Sequence, residues 1–336
     1  MPHSLLDQPL GGMPVAQDVA QDVAQVVAKI GTFPEFLDST QLAAFRSCPR
    51  RFYLQYLMHW KPKEESIHLV AGKAFAAGLE ASRRAFFEQH LPSDEAQAVG
   101  VMALVQSYGD FQGDPSSPKS LDRVIQALEF YFDQYPFDLD GTSPSLIGDR
   151  LGIEFRFCEP LDGENLPDCI NPDTGNPLLY TGRADLIAEF ADGRYVFDEK
   201  TTSSLGALWA RQWDLRSQFS GYVWAGRRLG IAVNGVIVRG ISILKTKFDT
   251  QQVISYRQPW EIERWEKQLN RDVLRMQYCY KTGWWDYALD HACTEYSGCI
   301  FRQICKTENP DTWLPVYFEQ RVWNPLTGDE AQPIGG

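Results

Sequence analysis

The sequence lacks any uninterrupted apolar run of about 18 residues, the length a membrane-crossing helix needs, so no membrane span is expected. Its first thirty residues carry Asp7, Asp18 and Asp22 and lack a basic start followed by an apolar block. A secretory signal is therefore not expected, and an intracellular, cytoplasmic setting is. Paired C-x₂-C knuckles of the usual zinc modules are missing as well. Positive charge is in deficit: 32 Lys+Arg against 44 Asp+Glu give a net charge of −12. That balance excludes nucleic-acid binding by bulk charge, and leaves only a local basic groove on an acidic body.

What is present is the material of a folded core. Hydrophobic residues at 44% and charged residues at 23% exclude wholesale disorder, and 336 residues allow one large domain or two ordinary ones. Seven cysteines, at 48, 158, 169, 279, 293, 299 and 305, are an odd number in a chain without an export signal. Metal binding or plain burial is a better expectation for them than disulfides.

Residues 14–29, PVAQDVAQDVAQVVAK, form a four-residue quasi-repeat that suits a short peripheral helix, so residues 1–32 read as an N-terminal extension. Asp38, Ser39 and Thr40 offer N-cap groups for a first helix, and Pro49 opens a second. A helix is expected to open after Gly72, and more helical pattern follows over 96–138, broken by GDFQGDPSSPKS. Strand-like runs come next at 151–158, 178–190 and 194–202, then a helix carrying Trp209, Trp213, Phe219, Tyr222 and Trp224. GVIVRGISIL and QVISYRQ read as two more strands, and a long helix ends at Gly283. Helices first, then strands with an embedded helix, indicate an α/β or α+β domain with a helical N-terminal lobe.

The sharpest chemical signal is the pair GRADLI (182–187) and VFDEKTT (196–202). On a strand, Asp198 and Lys200 project to one side and Glu199 to the other. If Asp185 lies on the neighbouring strand, two carboxylates and an ammonium converge, an arrangement that is costly unless a divalent cation is shared. Asp185, Asp198 and the Glu199 carbonyl are hard oxygen donors suited to Mg²⁺ or Mn²⁺. Such a site polarises a phosphodiester, with Lys200 placing the water or steadying the developing charge. The plainer alternative is a solvated strand end. Gln218 and Tyr222, four apart in SQFSGY, share one helical face, either over this patch or as a surface Gln beside a core Tyr.

Taken in order, STQLAAFRSCPRRFYLQY, GKAFAAGLE, GRADLI, VFDEKTT, QFSGY and the three late cysteines resemble the RecB-like branch of the PD-(D/E)XK nuclease superfamily. That branch includes iron–sulfur nucleases of the AddB type, CRISPR-associated exonucleases and phage recombination nucleases. The resemblance spans residues 39–305. It implies an α/β restriction-endonuclease-like core: a mixed central sheet flanked by helices, with a helical N-terminal lobe and a Cys-rich C-terminal clasp. It further implies metal binding by Asp185 and Asp198, a catalytic Lys200, and a QxxxY element of Gln218 and Tyr222. Glu154, on the preceding strand, is a weaker candidate.

One position departs from the pattern. Such nucleases present a histidine to the metal where this chain has Ala76, and His68 and His90 lie too far off to replace it. Glu80, one turn on, is a candidate oxygen ligand instead. Two expectations follow: a Mg²⁺- or Mn²⁺-dependent deoxyribonuclease, or a DNA-binding or assembly subunit that keeps the fold and cleaves poorly.

Cys293, Cys299 and Cys305, at six-residue intervals, join Cys48 in a one-plus-three arrangement that suits Zn²⁺ or an iron–sulfur cluster. The resemblance favours a [4Fe–4S] clasp tying the C-terminal end to the first helix, inside a nuclease domain of 33–310 followed by a tail of 311–336. Arg46, Arg50, Arg51, Arg83, Arg84, Arg211, Arg216, Arg227 and Arg228 are candidates for a strand-binding groove, with Arg50, Arg51, Arg216 and Arg227 foremost. The expected partner is DNA, single-stranded or with a free end, together with recombination or replication proteins, in recombination, repair or phage DNA processing.

Overall fold

The computed structural model describes residues 31–294, 298–326 and 329–330, so the quasi-repeat at 14–29 lies outside the described residues. After strand β1 (Phe36–Leu37), helix α1 (Ser39–Ser47) opens with a capping box. Asp38 Oδ1 accepts from the Gln41 amide at 2.7 Å, and Gln41 Oε1 accepts from the Asp38 amide at 3.0 Å. These bonds satisfy amides the helix itself leaves free, an effect of about 1 kcal/mol. Pro49 begins helix α2 (Pro49–Phe52), which passes into a π turn (Tyr53–Leu57) and strand β2 (Trp60–Pro62).

Helices α3 (Ile67–Phe87), α4 (Ser93–Tyr108) and α5 (Leu121–Gln134) form the lateral helical layer. Helix α3 starts six residues before the expected position, because the Ser66 hydroxyl caps it by accepting from the His68 amide at 3.3 Å, and Gly72 lies inside it. Two glycines let α3 and α4 meet backbone to backbone: a Cβ on Gly100 would stand 2.7 Å from the Gly78 carbonyl oxygen.

The sheet follows. Strand β3 (Ser143–Pro144) and the hairpin β4 (Leu146–Ile147) and β5 (Arg150–Leu151) lead into β6 (Ile153–Pro160), β7 (Leu179–Phe190) and β8 (Gly193–Thr202). Helices α6 (Ala207–Arg211) and α7 (Ser217–Arg228) then cross over to β9 (Gly235–Ile243), which lies parallel to β8, and β10 (Phe248–Tyr256) closes the sheet antiparallel. The sheet is mixed and helices flank it, as the expected α/β class requires. The single helix expected over Trp209–Trp224 is two. Between them the Arg216 amide donates to the Trp213 carbonyl at 3.3 Å in a tighter turn, and Arg257 Nη2 adds bonds to the Trp213 and Arg216 carbonyls at 3.2 and 3.3 Å.

Helix α8 (Pro259–Thr282) ends at Gly283, whose φ of 69° is the left-handed cap conformation. Helices α9 (Arg302–Cys305) and α10 (Pro310–Tyr317), then strands β11 (Phe318–Gln320), β12 (Trp323–Asn324) and β13 (Asp329–Glu330), complete the described chain; β11 pairs antiparallel with β2, and β12 with β13. Val196, Val236 and Val238 bury one sheet face against Phe219 and Val223 of α7 and Leu269 of α8. Ile241 and Ile243 bury the other against Ala71, Phe75 and Leu79 of α3 and Leu128 of α5. Trp209, Trp213 and Trp224 are core residues at 7, 5 and 3% exposure.

Candidate functional site

Strand β7 has more partners than two full edges can hold. β6 pairs with it at both Tyr180 and Leu186, so β1, paired at Leu179 and Tyr180, and β8, paired from Leu186 onward, must share the opposite edge. Between them β7 and β8 diverge: the last rung is Leu186–Phe197, and the next residues inward are Asp185 and Asp198. Side chains fill this fork. The Glu199 amide donates to Asp185 Oδ2 at 3.2 Å. The Tyr222 hydroxyl donates to the Arg183 carbonyl at 2.9 Å and accepts from Gln218 Nε2 at 2.8 Å. The expected Gln218–Tyr222 pair thus lies on one face of α7, engaged with the strand carrying Asp185.

Lys200 Nζ stands 2.6 Å from Asp198 Oδ1, with a third of the lysine side chain exposed and the carboxylate 1% exposed. Burial, and next the Asp198 charge, push the Asp185 carboxyl well above the carboxylate range. Burial raises Asp198 too, against the opposing pull of Lys200. Burial works against the charged form of Lys200, but Asp198 and Asp185 outweigh it and the ammonium is held above its usual value.

Glu199 faces the other way, as strand alternation requires. Its carboxylate makes a two-pronged ion pair with Arg83 of α3, one arm at 3.2 Å, and accepts from the Tyr131 hydroxyl of α5 at 3.0 Å. Burial raises Glu199, yet Arg83, Arg239 and the Tyr131 hydrogen bond outweigh it and hold it below its usual value. Arg83 is 4% exposed, which takes it out of the expected DNA groove. No local pattern signals this pairing, since its partners lie 116 positions apart.

A cavity of about 270 Å³ opens between α3 and the sheet, lined by Ala76, Arg83, Glu154, Asp185, Glu199 and Lys200 among others. Ala76 is therefore at the site, as the alignment of GKAFAAGLE places it. Glu80 is not among the lining residues and pairs with Arg84 at 3.0 Å, half-exposed. Glu154 does line the cavity, opposite Asp185 in the β6–β7 register, at a φ of 51°. Left-handed backbone at a non-glycine residue costs about 1–3 kcal/mol and clusters at functional sites. Burial pushes the Glu154 carboxyl up to about 7, with Arg183, 2.8 Å away, opposing and Glu80 adding.

The donor set fits a divalent cation. Asp198 Oδ1 and Glu154 Oε2 are buried, with Lys200 Nζ at 2.6 Å and Arg183 Nε at 2.8 Å beside them. Buried carboxylate oxygens gathered beside Asp185 are the hard donors Mg²⁺ or Mn²⁺ takes. Asp185, Asp198 and the Glu199 carbonyl are the groups that would hold it. Among the described residues, no three His, Cys, Asp or Glu side chains already stand in a ligating arrangement.

The same holds for the cysteines, all of which are free thiols. Cys48, Cys293, Cys299 and Cys305 nonetheless share a neighbourhood. Burial, then the Cys299, Cys48 and Cys293 charges, push Cys305 up to about 11, and Cys299 is raised by burial and by Cys48 and Cys293. Cys169 and Cys279 are core residues, and Cys158 is half-buried. Of the foremost arginines, Arg50 lies over the Tyr53 and Tyr287 rings and Arg51 donates to Gln55, whereas Arg216 and Arg227 are exposed. Arg46 is drawn inward to Asp272 at 2.6 Å, and Arg228 to Asp162 at 2.6 Å.

No helix among the described residues is long and apolar enough to cross a membrane. No curated protein matches the chain. Among solved structures, the crystal structure of SSO0001 is 13% identical, with 80% of this chain and 89% of that chain covered at a TM-score of 0.31. A candidate exonuclease from Eubacterium rectale is 12% identical, with 84% and 92% covered at a TM-score of 0.44. A family model matches residues 39–306, from the first residue of α1 to just past α9, taking in the fork, the cavity and α7. The chain belongs to the PD-(D/E)XK nuclease superfamily.

Proposed function

We propose that the chain is a Mg²⁺- or Mn²⁺-dependent deoxyribonuclease acting on single strands or free ends. The observation that carries this reading is the placement of Asp185 and Asp198 just beyond the last β7–β8 rung, with the Lys200 ammonium 2.6 Å from the buried Asp198 carboxylate. A divalent cation held by Asp185, Asp198 and the Glu199 carbonyl would supply Lewis-acid polarisation of the scissile phosphate. Lys200 keeps its proton, so its ammonium orients the attacking water and steadies negative charge developing on the phosphoryl oxygens. Arg83 and Tyr131 hold Glu199 from behind, and Tyr222 holds the strand of Asp185. The four-cysteine neighbourhood supports a [4Fe–4S] clasp, with Zn²⁺ as its alternative, in a domain of 33–310. Recombination, repair or phage DNA processing is the setting this reading implies.

Ala76 at the cavity wall favours the second reading, a DNA-binding or assembly subunit with little cleavage. End-labelled single- and double-stranded DNA incubated with Mn²⁺ and anaerobically purified protein, beside Asp198→Ala, separates the two. Cleavage by the wild type alone supports the nuclease. DNA bound but left intact by both proteins gives the second reading.

A further inference from the structure

The segment joining β8 to α7 is built unlike an ordinary surface loop. Leu208 and Leu215 are 84 and 77% exposed, among the most exposed large apolar side chains of the described residues. They are nevertheless rigidly carried. Trp209 and Trp213, their neighbours, are buried in an edge-to-face pair with centroids 5.4 Å apart. Arg257 and Ser255 hold the Trp213 carbonyl, and the Gly206 amide donates to Gln251 at 2.7 Å. Two anchored tryptophans with two leucines turned outward leave apolar surface in water that the loop itself does not need.

Its position is set by Gly240. A Cβ there would stand 2.3 Å from the Trp209 ring, so the indole rests on Gly240, and Gly240 is the register partner of Lys200. The segment therefore walls the site on the side away from α3. Its charge is basic: Arg211 and Arg216 are exposed and form no ion pair among the described residues, against a single carboxylate, Asp214. Arg216, set over the Trp213 ring at 5.8 Å, acts electrostatically on both Asp198 and Lys200.

The geometry points to the 203–216 segment as a nucleic-acid rim, where Leu208 and Leu215 press against unpaired bases while Arg211 and Arg216 take the phosphates that lead to Lys200. This rests on the nuclease reading for its substrate. Apolar side chains that displace or unstack bases, flanked by guanidiniums, are a recurrent way to hold a strand without reading its sequence. Unpaired guanidiniums beside the catalytic strand favour a polyanion over a protein as the occupant.

The test is binding, measured apart from cleavage. A short single-stranded oligonucleotide carrying 2-aminopurine is titrated with full-length Asp198→Ala protein, with and without Leu208→Ser/Leu215→Ser. The expected result is a Kd weakened about tenfold by the leucine pair, with loss of the fluorescence rise that accompanies unstacking. Arg211→Gln/Arg216→Gln is expected to flatten the salt dependence of log Kd by about two phosphate contacts. An unchanged thermal midpoint confirms the variants are folded, as their exposure predicts. An unchanged Kd and fluorescence response for the leucine pair overturns the rim, whether or not the wild type cleaves DNA. Loss of cleavage by the wild type with the rim effects intact overturns the nuclease reading alone.

Discussion

The main-chain amide of Glu199 donates to Asp185 Oδ2 at 3.2 Å, so the residue between Asp198 and Lys200 ties the two diverging strands together. Its side chain is gripped from the opposite face by Arg83. A backbone held on both sides cannot drift, and the proposed ligands on either side of it inherit that fixity.

Arg83 and Glu199 are 5 and 4% exposed, so breaking the pair leaves a buried charge. Arg83→Met and Glu199→Met are each expected to cost about 3–5 kcal/mol, and Arg83→Met/Glu199→Met to recover much of it, in urea unfolding. Simple additivity of the single changes would contradict a direct pair.

Removing one carboxylate from the fork should silence the chemistry without unfolding the chain. Asp185→Asn is expected to lower the cleavage rate at least about a hundredfold while DNA binding persists, by gel assay beside filter binding. A rate within about threefold of the wild type would remove Asp185 from the site.

Tyr222→Phe strips the hydroxyl that reaches the Arg183 carbonyl in the fork. A loss of about 1–3 kcal/mol in stability is expected, with kcat falling more than KM rises, because the strand of Asp185 loosens.

His59 provides a pH signature away from the fork. It is 3% exposed, and burial, helped by Lys61, holds its imidazole down at about 4. The unfolded chain then binds a proton between pH 6.5 and 4 that the folded chain refuses, so this contribution is complete above pH 6.5 and lost as pH falls toward 4. The loss is on the order of 3 kcal/mol. His59→Asn, which tolerates the φ of 59° at this position, is expected to flatten that part of the pH–stability curve.

If the cysteines hold a cluster, anaerobic protein carries iron and sulfide, and Cys48→Ala or Cys305→Ala loses both and melts lower. Stoichiometric zinc without iron would replace the cluster with a zinc staple.

Much of the frame was legible in the sequence. Alternating runs marked β7 and β8, and Asp38 and Gly283 marked helix ends, since these signals act over a few residues. The facing of Asp198 against Glu199 followed from strand period alone. What escaped was long-range. An arginine on a helix such as Arg83 looks like any solvated cation until its partner 116 positions away is known. Arg257, which reaches the Trp213 and Arg216 carbonyls between the two helices found over 209–224, is equally remote in sequence. The left-handed backbone at Glu154 has no local signature either.

The Trp323 indole donates to Asp38 Oδ2 at 2.6 Å across 285 positions, and β11 pairs with β2 beside it. The carboxylate that starts the first helix is thus completed by nearly the last described strand. During synthesis, α1 cannot acquire its full set of partners until the 285 positions that separate Asp38 from Trp323 have been added. Such a closure puts a large, slow loop at the end of folding. Premature termination anywhere before Trp323 would release a chain whose first helix was never locked.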